Sequence, residues 1–319
     1  MNGIGGFFEL EIGIGKNLYH ETAYVLSTAR ACLNTIIKTM KPAKIYVPYY
    51  TCNALIQPII SNKIDYEFYK INNNLEPIQE FSLNNNEYLI YVNYFGLKTE
   101  AVKQLFLKYK ESLIIDNTQA FFDKNISGAF SFNSARKFFG VSDGAYLYSP
   151  VNLEIGLIKR NEDFHFNHLI NRLIGRQELA YKEFRVYEES LSDDIKRISI
   201  FSESILSNVD YQNVRQRRRD NFNHYHLALQ NKNLLNLDFQ PESVPFAYPL
   251  MVKKKINKEL LFKQNIFIPT LWKDTLERNG SENYSFEKEL TENVLPLPVD
   301  QRYGEAEIQK VINAVSELI

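Results

Sequence analysis

The chain has 319 residues, of which 45% are hydrophobic and 24% are charged. This composition is typical of a globular protein with a large core, and the length predicts two domains. The formal net charge of -1 provides no overall field that would attract nucleic acid or an anionic membrane. Cys32 and Cys52 fit neither a metal-ligand spacing nor a disulfide framework. Since no signal-peptide pattern and no apolar run of about 18 residues is found, we expect a cytoplasmic protein.

The first half of the chain alternates predicted strands and helices. Apolar runs predict strands at 23–26, 44–47, 66–69, 88–94, 112–116, 128–132 and 144–149, and apolar spacing predicts helices at 29–40, 51–60 and 99–109. Continuous apolar strands separated by helices predict a mainly parallel sheet that is covered on both faces. Ligands bind such sheets beyond the carboxyl ends of the strands. Asp116 lies at such an end, and Lys137 lies in a loop between two strands.

The second half of the chain has a different pattern. Residues 162–233 are polar and lack proline, which predicts one or two long helices. A smaller unit follows, with a strand near 246–252, a helix near 257–263, an extended segment at 266–269 and a last helix at 305–318. We therefore predict a large domain over residues 1–190, followed by connecting helices and a smaller C-terminal α+β domain over residues 191–319.

Lys137 and Asp116 together suggest a site for pyridoxal phosphate (PLP). Taken alone, Lys137 would usually be an exposed side chain, and Asp116 would more often cap the next helix. As a pair they match what this cofactor needs: an amine that forms a Schiff base and a carboxylate that keeps the ring nitrogen protonated. Gln119, three residues after Asp116, can reach the phenolic oxygen of the ring; its alternative role is an exposed polar side chain.

A PLP site also needs a phosphate cradle. Thr28, Ala29 and Arg30 open a predicted helix after a strand, and a helix start offers free N–H groups and a positive dipole end. An ordinary helix cap explains the same residues equally well. Ser134, three residues before Lys137, can add a hydroxyl to the phosphate, and Ser131 is a weaker candidate.

These motifs resemble the sugar-nucleotide aminotransferases of the DegT/StrS type, which are PLP enzymes of fold type I. Asp116 and Gln119 match the family's Asp-x-x-Gln/His motif. The other similar segments are the chain start at 5–11, the phosphate loop at 27–33, the Val-Pro-x-x-Thr strand end at 46–52, the lysine loop at 134–144 and the Leu-Pro-Leu-Pro segment at 295–298. Each motif alone is weak, but the ordered set is fairly specific.

The resemblance implies a three-layer fold with a mainly parallel central sheet, and a homodimer with active sites at the subunit interface. It assigns Lys137 as the Schiff-base lysine and Asp116 as the pyridinium partner, which are the two catalytic residues. It also implies the following cofactor contacts: Gln119 at the phenolic oxygen, and Thr28, Ala29, Arg30 and Ser134 at the phosphate. The implied reaction transfers an amino group, with glutamate as the donor, to a nucleotide-linked keto-deoxysugar for polysaccharide biosynthesis.

Three positions depart from the family pattern. Ala29 and Ala145 replace glycines, and Cys52 stands where an aromatic side chain often covers the PLP ring. The ring is then covered by Cys52 itself or by one of three tyrosines: Tyr49, Tyr50 or Tyr94. Alternative functions are another reaction on the same fold, such as deoxysugar dehydration, or a non-catalytic PLP-binding regulator or partner subunit. In the dehydrating relatives a histidine replaces the lysine, so Lys137 counts against that reaction.

Two further clusters have simpler explanations. The basic run at 215–219 predicts an exposed helix face; its alternative is a clamp for a nucleotide diphosphate, because guanidinium groups suit phosphate. His224 and His226 are two positions apart in a predicted helix, so their rings point in different directions. We therefore expect no metal site there.

Overall fold

The computed structural model describes residues 4, 6–8, 10–153, 155, 158–237 and 239–319. The first half of the chain contributes seven strands to one sheet: β1 (Tyr24–Leu26), β2 (Lys44–Pro48), β3 (Asp65–Tyr69), β4 (Glu87–Val92), β5 (Leu113–Asn117), β6 (Phe130–Asn133) and β7 (Ala145–Tyr148). Their order in the sheet is β1-β7-β6-β5-β4-β2-β3. The strands follow the predicted apolar runs closely.

The sheet is mainly parallel, as the sequence predicted. Strands β2 to β6 pair in parallel, whereas β7 runs antiparallel to both of its neighbours, β6 and β1. Every residue of β5 is buried, as is every residue of β4 after the first. Burial on both faces explains why these strands are continuous apolar runs rather than alternating ones.

Three helices connect the parallel strands: α1 (Ala29–Met40), α2 (Asn53–Ser61) and α3 (Thr99–Tyr109). Helix α1 begins at a capping threonine, because the Thr28 hydroxyl accepts a hydrogen bond from the backbone N–H of Ala31 at 3.0 Å. The helix packs against β6 and β7. Its first turn therefore lies at the edge of the sheet where β6 ends.

The polar stretch after residue 162 forms four helices instead of the one or two that we predicted: α4 (Asn167–Leu173), α5 (Gln177–Ser190), α6 (Ile200–Leu206) and α7 (Tyr211–Leu229). Gly175, at φ +83°, allows the chain to turn between α4 and α5. Ser199 and Asp210 accept backbone hydrogen bonds at the starts of α6 and α7. Ser199 and Asp210 are short polar residues of the kind that cap helices, so they marked the starts of α6 and α7 in the sequence.

The C-terminal part contains a two-stranded antiparallel sheet and four helices: β8 (Ala247–Met251), α8 (Glu259–Phe262), α9 (Asp274–Glu277), α10 (Ser285–Asn293), β9 (Val294–Pro298) and α11 (Glu305–Ser316). The predicted extended segment 266–269 is a loop. One continuous apolar core includes side chains from both sheets. The predicted domain boundary at residue 190 stays a prediction. Within the described ranges no helix is long and apolar enough to cross a bilayer.

Candidate active site

Lys137 and Asp116 come together at the carboxyl ends of two neighbouring parallel strands. Lys137 ends a single helical turn after β6, and its Nζ donates a hydrogen bond to the hydroxyl of Thr118 at 2.8 Å. Thr118 directly follows β5. Because β5 and β6 pair in parallel, with Asn117 opposite Asn133, residues 116–118 and the lysine loop (residues 134–144) meet at one edge of the sheet.

Asp116 is a buried carboxylate with few partners. Its Oδ1 accepts a hydrogen bond from the backbone N–H of Thr118 at 2.8 Å. Burial raises the pKa of Asp116, and the positive charge of Lys137 and the hydrogen bonds from Thr118 oppose that rise. A buried carboxylate in this state gains from a partner that carries a proton and a positive charge.

Gln119 is held so that its amide group is available as a donor. The side chain is 1% exposed, and its Oε1 accepts a hydrogen bond from the backbone N–H of Phe95 at 2.8 Å. Since the oxygen is already paired, the NH2 group is the remaining polar end of the side chain. A donor is what the phenolic oxygen of PLP requires.

The start of α1 lies directly against the lysine loop. The backbone N–H of Gly144 donates to the carbonyl of Ser27 at 2.6 Å, and that of Ala135 donates to the carbonyl of Gly144 at 3.0 Å. Gly144 adopts φ +119°, and a Cβ at this position would lie 2.8 Å from Ile198 Cδ1. The positive φ favours glycine at this position, because a side chain there would strain the backbone.

The hydroxyls near the proposed phosphate site are not all free. Thr28 accepts from Ala31 N–H and donates to the carbonyl of Ser192 at 3.3 Å, so only its backbone N–H remains for a ligand. Ser131 donates to Asn125 Oδ1 at 3.0 Å. Ser134 is buried and caps nothing through its side chain, so it stays the better candidate of the two serines.

Arg30 is a partly buried cation without a hydrogen-bonded partner among the described residues. Its Nε is fully buried, and neither a hydrogen bond nor an ion pair to its guanidinium is found within the described part of the chain. Burial lowers the pKa of Arg30, as does the nearby charge of Arg136, whereas Cys52, Glu188 and Asp193 oppose the shift. A buried donor without an acceptor is unfavourable, and an anionic ligand at the start of α1 could accept a hydrogen bond from the Arg30 guanidinium.

The predicted ring-facing residues have separate environments. The ring of Tyr50 stacks on that of Tyr94, with centroids 5.7 Å apart, and the edge of Trp272 contacts Tyr50 at 4.4 Å. Tyr49 instead stacks on Tyr284 at 3.8 Å, so it packs toward the C-terminal part. Cys52 is a partly exposed free thiol immediately before α2. Tyr49, Tyr50 and Tyr94 are all buried, whereas Cys52 is partly exposed.

Lys137 opens into a cavity of about 460 Å³. The cavity lies between the lysine loop, α7, the two-stranded sheet and α11, and its basic lining residues are Lys137, Arg172, Arg218, Arg302 and Lys310. Two acidic residues, Asp300 and Glu307, also line it, but Asp300 pairs with Arg302. The cavity is therefore suited to an anionic ligand.

Arg218 contradicts the prediction that the basic run 215–219 is an exposed helix face. Its side chain is 1% exposed, and its guanidinium donates to four acceptors, namely Gln301 Oε1 and the carbonyls of Phe138, Pro245 and Phe246. Gln301 also donates to the Phe138 carbonyl, at 2.9 Å. The residue after Lys137 is thus fixed from two sides. Helical periodicity could have predicted that Arg218 is buried, because Val214 and Phe222, four positions before and after it, are apolar and lie on the same buried face of α7.

The groups at this edge fit PLP. Lys137 provides an amine, Asp116 a buried carboxylate, Gln119 an amide donor, and Arg30 an unpaired cation for a phosphate.

Comparison with solved structures identifies the fold. The chain superimposes on the PLP form of Spr1654 from Streptococcus pneumoniae, which is named a sugar aminotransferase, with a TM-score of 0.66 and 16% identity over 94% of this chain and 89% of that chain. The sugar aminotransferase CalS13 from Micromonospora echinospora matches with a TM-score of 0.62 and 14% identity, over 92% and 87% of the two chains. A DegT DnrJ EryC1 StrS aminotransferase from Brucella abortus matches with a TM-score of 0.62 and 14% identity, over 92% and 85%.

The chain has the fold of these aminotransferases. The predicted three-layer architecture is therefore confirmed, and at these identities the likeness concerns the fold. No family model and no curated protein matches the sequence. Part of the predicted similarity at the chain start cannot be compared, because residues 5 and 9 lie outside the described residues.

Proposed function

We propose that the protein is a PLP-dependent aminotransferase that converts a nucleotide-linked keto-deoxysugar to an amino sugar, with glutamate as amino donor. The observation that carries the proposal is the contact between the lysine loop and the end of β5, where Lys137 bonds Thr118 beside the buried Asp116. A fold shared with sugar aminotransferases, one of them in a PLP form, supports the same reaction class.

Each residue then has a definite task. Pyridoxal phosphate, when bound, supplies an aldehyde that takes up the amino group and a ring that accepts electrons from the substrate carbon. Lys137 binds the cofactor through Nζ and, when that amine is free, carries a proton to and from the substrate carbon. Asp116 holds the proton on the ring nitrogen, and Gln119 donates to the phenolic oxygen. The remaining proposed contacts are Thr28, Ala29, Arg30 and Ser134 at the phosphate, and Tyr50 and Cys52 at the ring.

The cavity next to Lys137 supports a nucleotide-linked sugar as the substrate. The basic cavity next to Lys137 suits a diphosphate, since guanidinium groups bind phosphate well.

On the α4–α5 hairpin, Leu173 and Val186 are 80% and 69% exposed, and exposed apolar patches commonly mark interfaces. We therefore also propose a cytoplasmic homodimer that serves polysaccharide biosynthesis, with residues 1–190 as its PLP-binding domain and 191–319 as its smaller domain.

The first experiment is a visible absorption spectrum of the protein with PLP, before and after addition of L-glutamate. We expect a band from the lysine-bound cofactor that bleaches with glutamate. Lys137→Ala should lack the band, Lys137→Arg should lack it although the charge is kept, and the exposed control Lys103→Ala should behave as wild type. The absence of any band in the wild-type protein would refute the proposal.

Two other results would redirect the assignment. A band that glutamate does not bleach would indicate another amino donor, or the non-catalytic PLP-binding role that the sequence left open. Turnover of a ketosugar by Lys137→Ala would contradict the role of Lys137. Neither alternative is favoured by a specific contact in the described residues.

A further inference from the structure

The segment between β8 and α9 is strongly basic. Residues 253–273 contain six lysines, one glutamate and no arginine, although the whole chain has a formal net charge of -1. Four of these lysines are exposed and pair with no carboxylate in the described part of the chain: Lys253, Lys254, Lys263 and Lys273. A net charge near zero for the whole chain therefore does not exclude a local positive surface.

The two ends of this basic segment lie close together in space. Lys258 Nζ donates hydrogen bonds to the Pro269 carbonyl and to the Thr270 hydroxyl, both at 2.8 Å. These bonds join the start of α8 to the end of the segment. Lys255 and Lys273, which lie on either side, are both within electrostatic range of Lys258. The lysines before and after α8 therefore belong to one surface.

The charges on this surface are only partly compensated. Lys255 forms an ion pair with Glu292 at 3.0 Å, whereas Glu259, the one acid of the segment, is exposed and pairs with no lysine among the described residues. Burial, together with the charges of Lys273 and Lys255, lowers the pKa of Lys258 to about 8. Like charges that repel one another in this way gain from an anionic partner.

Exposed apolar side chains lie among these lysines. Leu260, Phe262 and Phe267 are 41%, 42% and 54% exposed, and the two phenylalanine rings stack with their centroids 5.7 Å apart. Lysines beside exposed apolar side chains are typical of surfaces that lie on a membrane, because the apolar groups enter the headgroup region while the ammonium groups contact anionic lipids. Nucleic-acid sites favour arginine, which residues 253–273 lack.

We propose that residues 253–273 form a docking surface for an anionic lipid bilayer, on which the protein lies through its lysines and its three exposed apolar side chains. The same segment contributes Ile266, Phe267 and Pro269 to the lining of the cavity next to the lysine loop. Docking then places the rim of that cavity beside the bilayer. The proposal goes beyond the proposed function and does not depend on Lys137.

Variants of the charged and apolar parts should weaken binding to anionic vesicles by different amounts. Lys253→Gln combined with Lys254→Gln should weaken it about thirtyfold, because each lysine near an anionic membrane contributes about fivefold in affinity. Phe267→Ser, which removes a half-exposed ring, should weaken it about fivefold. The matched control is Lys103→Gln combined with Lys108→Gln, at side chains on α3 that are 52% and 43% exposed and pair with carboxylates.

The experiment is co-sedimentation of the full chain with vesicles of phosphatidylcholine alone and of phosphatidylcholine mixed with the anionic lipid phosphatidylglycerol. We expect binding to the mixed vesicles only, and weaker binding at high salt because the charges are screened. Absence of binding to the mixed vesicles, or equal binding to both kinds, would overturn the proposal. Equal affinity of the two double variants, with unchanged circular dichroism, would also overturn it.

Duplex DNA tests the alternative partner, because it offers negative charge without an apolar layer. If DNA binds as tightly as the mixed vesicles, and Phe267→Ser weakens neither, the surface binds nucleic acid and the lipid assignment fails. Lys137→Ala should keep wild-type affinity for the mixed vesicles. Loss of the lysine-bound absorption band with retained vesicle binding would therefore leave the docking surface intact, whatever the outcome for the aminotransferase assignment.

Discussion

Arg218 and Arg30 differ in how their positive charge is satisfied. Arg218, on α7, is the more deeply buried, and its guanidinium donates to four acceptors. Its Cζ lies over the Phe138 ring, 4.5 Å from the ring centroid. Arg30, on α1, is mostly buried and donates to none within the described chain. Removing a buried donor that satisfies several acceptors is destabilising, whereas a donor without an acceptor is available to a ligand.

The difference also concerns the lysine loop. Arg218 and Gln301 both donate to the Phe138 carbonyl, so the position after Lys137 is fixed before any ligand binds. Arg136, directly before Lys137, instead forms an ion pair with Glu188.

The largest effect is expected when the fully bonded arginine is removed. Arg218→Met should lower the free energy of unfolding by about 3 kcal/mol, because several buried carbonyls lose their donor. Chemical denaturation against the exposed control Arg217→Met measures the loss. Equal stability of the two variants would mean that the hydrogen bonds of Arg218 do not hold the lysine loop.

His20 is a second buried side chain with hydrogen bonds, and its contribution to the free energy of unfolding depends on pH. His20 is 4% exposed, with Nδ1 2.8 Å from the Tyr148 hydroxyl and Nε2 2.8 Å from the Phe121 carbonyl. Burial lowers its pKa from 6.5 to about 4, and the hydrogen bond to Phe121 opposes the shift. The unfolded chain therefore takes up the proton first as pH falls, and the folded state loses stability.

We expect this contribution to be complete above pH 6.5 and lost as the pH falls from 6.5 to about 4, by about 3 kcal/mol. Denaturation across this range in wild type and in His20→Gln, which cannot titrate, isolates the contribution. Parallel pH profiles in the two proteins would contradict it.

A smaller loss is expected at the contact between the C-terminal part and the strand end that carries Cys52. Arg278 donates to the carbonyls of Tyr49 and Thr51 at 2.5 and 2.6 Å and to Asn53 Oδ1 at 3.1 Å. Arg278→Lys cannot maintain this fork of donors and should cost about 1–2 kcal/mol of unfolding free energy. The control is Arg185→Lys, at a side chain that is 64% exposed. Equal losses of unfolding free energy in the two variants would mean that the hydrogen bonds of Arg278 contribute little to stability.

The smallest effect is expected for Arg30. In phosphate-free buffer, Arg30→Met should change the free energy of unfolding by less than about 0.5 kcal/mol, or raise it slightly, because it removes a partly buried guanidinium whose Nε makes no hydrogen bond. Adding phosphate should stabilise wild type and not the variant. A large loss without phosphate would show that Arg30 is a structural residue like Arg218.

Much of this site was predictable because it depends on local sequence. A strand that ends in Asp116, with Gln119 one turn later and Lys137 in the next loop, is a pattern of short spacings, and the sheet order then brings these residues together. The contact of Lys137 with Thr118 was not predicted, although it follows from the parallel pairing of β5 and β6. The four helices after residue 162 were missed because their caps are single polar residues within a polar stretch.

The sequence by itself determined the alternation of strands and helices and the mainly parallel sheet, because both follow from apolar periodicity. Short motifs in the sequence also predicted Lys137 and Asp116 as the amine and the carboxylate of the site. Only the tertiary structure decided which charges are satisfied. Arg218 and Arg30 look alike in sequence, but their acceptors lie far along the chain or are missing, and Tyr49 packs on Tyr284 rather than facing the site. Such differences arise from packing between distant segments, which local spacing does not encode.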